Sequence, residues 1–91
     1  MPEKEQYKAV IAEVIAKQVV ILGPEIAVLK AKNVPEIDVT SNGVVIDIKG
    51  DPQIALQKLI DQYVELSGQI VKNALGPIFT KYPSVKHNLR T

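Results

Sequence analysis

Between Glu36 and Lys49 the chain reads Glu-Ile-Asp-Val-Thr-Ser-Asn-Gly-Val-Val-Ile-Asp-Ile-Lys. Two β-branched runs flank an Asn-Gly pair, which is the pattern of a β-hairpin. No other segment constrains the fold as much, because a two-stranded hairpin is marginal in water by itself. It must rest on helices or extend its sheet with a second copy of itself. Asn42-Gly43 predicts a two-residue type I′ turn, in which both central positions have positive φ. That turn pairs Ser41 with Val44, Val39 with Ile46, and Ile37 with Ile48, and it puts those aliphatics and Val44 on one face. A three-residue loop with a bulge would set Ile37 against Asp47 and Asp38 against Ile46, which mixes the faces, so the shorter turn is expected. Its cost falls on the outer face, where Asp38 opposes Asp47, Glu36 opposes Lys49 and Thr40 opposes Val45. Like charges opposed across strands are destabilising. Lys49, a lysine from elsewhere or full solvation must relieve them, unless the pair has a task of its own.

Long apolar helical patterns lie on both sides of the hairpin. The first runs from Pro2 or Glu3 to Leu22, with proline suited to the first turn and Glu3 and Glu5 suited to the positive end of the helix dipole. At 100° per residue, Tyr7, Val10, Ile11, Val14, Ile15, Val19 and Leu22 form a broad stripe, and Ala9, Ala12 and Ala16 form a second, small-residue face. Only a narrow band around Glu13 and Lys17 is polar. Such a helix is expected to be covered on more than one side. Gly23-Pro24 ends it and opens a short helix, Glu25 to about Lys32, with Ile26, Val28 and Leu29 as its apolar contacts. Asn33 is expected to terminate that helix in the left-handed conformation, and Pro35 prevents continuation.

Asp51-Pro52 caps and opens the last long helix. Its apolar half includes Ile54, Leu56, Leu59, Ile60, Tyr63, Val64, Ile70 and Val71, with Ser67 near mid-stripe and Gly68 beside it. Gly76-Pro77 is expected to break or kink this helix, with Ile78 to Tyr82 adding a final turn before Pro83. The expected organisation is one small α+β domain over 1–83 and a mobile basic tail over 84–91. The order is helix, short helix, two-stranded antiparallel hairpin, long helix.

Composition narrows the function. Of the 91 residues 46% are apolar, but the aromatics are limited to Tyr7, Tyr63, Phe79 and Tyr82, so the core must be aliphatic and offers few stacking platforms. The net charge is +1, unevenly spread: Lys81 to Thr91 carry +3, which leaves −2 for the rest. A near-neutral body argues against nucleic acid as a partner, since non-specific affinity comes from neutralising phosphates. The order of elements is similar to that of dimeric histone-like DNA benders, in topology alone. Those proteins insert basic hairpin arms into the minor groove, whereas this hairpin carries Asp38 and Asp47 and an uncharged Thr40-Ser41-Asn42-Gly43 tip. The chain has no cysteine, which removes disulfides and thiolate chemistry. Gln18 to Pro24, the longest uncharged run in the apolar part of the first helix, is far short of the ~20 residues that cross a bilayer. A cytoplasmic protein with no membrane contact is expected.

No catalytic, metal or cofactor motif is evident. Asp38 and Asp47 could share a hard cation or a proton, but two carboxylates supply few of the oxygens that a Ca²⁺ or Mg²⁺ site needs. His87 is the only histidine and falls in the polar tail; Ser41, Ser67 and Ser84 lie on no nucleophile pattern. The five glycines are scattered and form no phosphate loop. The strongest signal is aliphatic surface in excess of what one short chain can cover. The expected function is a non-catalytic homo-oligomerisation or regulatory protein-interaction module, assembled as a homodimer. The expected contact residues are Ala9, Ala12, Ala16, Ile60, Val64, Ser67 and Val71. A small dimeric nucleic-acid-binding protein, and a ligand or metal binder using the hairpin carboxylates, are the alternatives.

Overall fold

The computed structural model describes residues 2–82, without the side chains at positions 2, 3, 67, 70 and 71. The chain folds as α1 (Pro2–Leu22), α2 (Pro24–Lys32), β1 (Ile37–Val39), β2 (Val45–Ile48) and α3 (Pro52–Lys81). This is the α+β order expected from the sequence. The breaks fall where local chemistry demands them. Gly23 adopts φ 91°, a conformation that side-chain-bearing residues avoid, and so turns the chain between α1 and α2 within one residue. Asp51 caps α3 by accepting a hydrogen bond from the Gln53 N–H at 2.9 Å, with Pro52 in the first turn.

One hydrophobic core unites all five elements. Helix α1 contributes Tyr7, Val10, Ile11, Val14 and Ile15, which fulfil the predicted stripe; Val19 and Leu22 pack at its edge. Helix α3 supplies Leu56, Leu59, Ile60 and Tyr63, and packs on α1 and α2. The buried Tyr63 hydroxyl donates to the Ala27 carbonyl at 2.7 Å and ties α3 to α2. Burial pushes its pKa up, so the group stays a neutral donor. The sheet rests on the helices through β1 against α2 and β2 against α1. The hairpin thus gains within the chain the support that it lacks alone.

Four expectations are corrected. First, α2 buries Ala27, Val28 and Ala31 and leaves Ile26 and Leu29 exposed, because small alanines let its backbone come close to α1 and α3. Second, Asn33 ends α2 at φ −72°, right-handed, with its N–H shared between the Leu29 and Lys30 carbonyls and its side chain donating to Gln62 Oε1 at 3.3 Å. Third, α3 is not broken at Gly76-Pro77 but continues to Lys81. Leu75 and Ile78 on either side are buried in the core, and the Thr80 hydroxyl donates to the Gly76 carbonyl at 3.0 Å. That packing outweighs the one helical hydrogen bond that proline removes.

The fourth correction concerns the hairpin. The loop has three residues rather than two: Thr40 N–H donates to the Val44 carbonyl at 2.9 Å, and Gly43 N–H donates to the Thr40 carbonyl at 3.0 Å. Only Gly43 has positive φ, so the turn is not type I′. The Thr40 hydroxyl accepts from Asn42 N–H and Val44 N–H at 3.2 and 3.1 Å and supports the loop from inside. This loop would have mixed the faces, but a second irregularity restores them. Val39 pairs with Val45, then Asp38 with Asp47 and Ile37 with Ile48, so Ile46 is an extra residue bulged out of β2. Val45 and Ile48 therefore face the core, and Val44 and Ile46 face outwards.

Candidate interaction surface

The residues expected to form a contact surface separate in space. On α1, Ala9 and Ala12 are half-buried and Ala16 is exposed; Val20, one turn further along the same face, is 84% exposed. On α3, Ile60 is taken up by the chain's own core and Val64 packs against its edge. The Ser67 and Val71 side chains lie outside the described residues, as do His87 and the basic tail 84–91. Ala9, Ala12 and Ala16 thus remain near the surface, whereas Ile60 is an internal packing residue.

The hairpin carboxylates are opposed as the sequence predicts, and a lysine from outside the hairpin relieves them. Lys4 of α1 reaches Asp47 at 3.0 Å, both side chains being about half exposed. This hydrogen bond, with one from the Ile48 backbone, holds the Asp47 carboxyl below its ordinary range. Asp47 is thereby engaged in holding the sheet to α1. Two further ion pairs link distant elements: Lys58 of α3 with Glu36 ahead of β1, and Lys81 at the end of α3 with Glu13 of α1 at 2.9 Å. The Lys81 hydrogen bond, then one from Tyr82, draws the Glu13 pKa down. Among the described residues, no group of three or more His, Cys, Asp or Glu could hold a metal ion, and no helix is long and apolar enough to cross a membrane.

The structure instead places exposed aliphatics where the sequence reading did not. Ile26 and Leu29 of α2 are 46% and 60% exposed, and Val44 and Ile46 project from the hairpin. Two shallow depressions meet at Pro24 and Glu25. One follows the α1–α2 corner from Leu22 to Ile26, and the other is lined by Val28, Leu29, Lys32 and Ser41 of the hairpin tip. The second of these is a shallow groove between α2 and the hairpin tip. A signal for it is present in the sequence: Ala27 and Ala31 are four residues apart, a small-residue face opposite Ile26 and Leu29. Small residues mark the close-packed side of a helix as readily as a free one. Gln18 was also missed. It is fully buried, and neither amide atom has a hydrogen-bond partner among the described residues.

No protein-family model, curated protein or solved structure matches this chain.

Proposed function

We propose that this protein is a non-catalytic interaction module whose first partner is another copy of itself, forming a homodimer. The observation that carries the reading is the set of large aliphatics left in water once the core is complete, above all Ile26 and Leu29 side by side on α2. Burial of apolar area contributes roughly 25 cal/mol per Å², before the costs of association. The α2 side is favoured over the alanine face of α1, since Ile26 and Leu29 are two large neighbouring side chains, whereas on α1 Ala9 and Ala12 are half covered and Val20 is the one large aliphatic beside the small, exposed Ala16. The open strand edges are only three and four residues long, which makes a continuous intermolecular sheet a weaker source of affinity than helix packing.

Sedimentation velocity, or size-exclusion chromatography with light scattering, tests the reading over about 10 to 500 µM, the range in which small interfaces associate. A rise in mass from one chain towards two across this range is expected. A constant single-chain mass would overturn it.

A further inference from the structure

We propose that two copies dock through the outer face of α2, antiparallel about a two-fold axis, with Glu25 of each copy against Lys32 of the other. This inference rests on the self-association proposed above and specifies its geometry. Glu25, Val28, Leu29 and Lys32 occupy positions i, i+3, i+4 and i+7 of α2, and all four line one side of the groove beside the hairpin tip. Four residues at that spacing form the hole into which a facing helix inserts a side chain. Leu29, 60% exposed on the same ridge, is the matching knob. Knob and hole on one surface satisfy the requirement that a two-fold contact be self-complementary.

Charge fixes the orientation. Glu25 opens α2 and Lys32 closes it, about 10 Å apart along the axis. Both are exposed, and neither makes an ion pair among the described residues, where Lys4, Lys58 and Lys81 are the paired lysines. Placed parallel, two α2 helices would set like charges side by side. Placed antiparallel about a point between Val28 and Leu29, they set Glu25 against Lys32 twice and Leu29 over the opposing groove. The helix dipoles then also run opposed, which favours the arrangement. A nine-residue helix buries less than a standard interface, so the dimer is expected to be weak and in fast exchange.

Charge reversal tests this in solution with the full chain. Glu25→Lys places two pairs of lysines in contact, and Lys32→Glu places two pairs of glutamates. Each single variant should raise the dimer Kd about tenfold or more, since two attractive rim pairs become repulsive. An equimolar mixture of the two variants should recover wild-type affinity. The mixed dimer sets the introduced lysine against the introduced glutamate at one end of the contact, and Lys32 against Glu25 at the other. Leu29→Ser should abolish association, with the thermal melt of the dilute chain unchanged, as expected of an exposed side chain. Wild-type dimerisation with both charge variants unaffected would overturn the α2 interface but leave self-association standing. Weakened variants that fail to recover on mixing would place the effect within one chain and also overturn the interface. A wild-type chain that stays single throughout would overturn the underlying reading itself. Species larger than two would contradict a closed two-fold contact.

Discussion

Gln18 gives the sharpest energetic prediction. It lies on the face of α1 that carries Val14 and Ile15, has no exposed area, and keeps Oε1 and Nε2 without hydrogen-bond partners among the described residues. An unpaired buried amide costs about 1–3 kcal/mol. Methionine has the same unbranched shape and nearly the same volume, and carries no strong polar group. Allowing up to about 1 kcal/mol for imperfect fit leaves a gain of about 0–3 kcal/mol for Gln18→Met, with a central value of about 1–2 kcal/mol. In a domain of this size each kcal/mol shifts Tm by about 4–8 °C, so a rise of roughly 4–16 °C is expected. The assay is urea unfolding followed by circular dichroism, with the midpoint moving up and the m-value unchanged. Chain concentration must be held fixed, because any dimerisation makes apparent stability depend on concentration. A loss of more than about 1 kcal/mol would refute the reasoning, since it would mean that the amide makes stabilising hydrogen bonds in its buried seat.

Other consequences are equally specific. Tyr63→Phe removes the 2.7 Å hydrogen bond to the Ala27 carbonyl without opening a cavity, and should cost about 1–2 kcal/mol in the same unfolding assay. Asp51→Ala removes the acceptor that holds the Gln53 N–H and should cost about 1 kcal/mol, with Asp51→Ser restoring most of it. Glu13, Glu36 and Asp47 are each held below the ordinary carboxylate range, chiefly by hydrogen bonds from Lys81, Lys58 and Lys4 respectively. Their stabilisation is complete above the unfolded-state values and drains away as pH falls through the lower folded-state values. Melts recorded from about pH 6 down to about pH 3 should fall more steeply for the wild type than for a Glu13→Gln, Glu36→Gln, Asp47→Asn triple variant. Parallel acid limbs for the two proteins would show that these pairs contribute nothing to stability.

What could be read from the sequence was set by chemistry local in the chain. Gly23-Pro24 and Asp51-Pro52 announce helix boundaries because caps and proline act within a few residues. The apolar stripe of α1 followed from periodicity. The opposition of Asp38 to Asp47 is expected from a two-residue turn, and it arises instead from a three-residue loop whose extra residue is offset by the bulge at Ile46. Two of the misreadings have a different cause, since they depended on neighbours distant in sequence. The side of α2 that is buried was decided by α1 and α3, which approach through Ala27 and Ala31. The continuation of α3 past Pro77 was decided by the seats available for Leu75 and Ile78. The three-residue hairpin loop is held locally instead, by the Thr40 hydroxyl and by the positive φ of Gly43, a combination that the Asn-Gly pair did not announce. The contact surface suffered as α2 and α3 did. Ile60 and Ala16 look alike as stripe members, and only the packed chain separates the internal one from the exposed one.

The bulge in β2 also bears on how this hairpin tolerates changes in length. Because Val39 pairs with Val45 and Asp38 with Asp47, Ile46 is a supernumerary residue in the ladder. Excising it would leave Val45, Asp47 and Ile48 with the same cross-strand neighbours and the same faces, now in regular alternation. Excising Val45 would bring Ile46 opposite Val39 with the rest of the ladder unchanged, whereas excising Ile48 would remove a core side chain outright. The bulge pair therefore marks where this strand can lose a residue without losing its register.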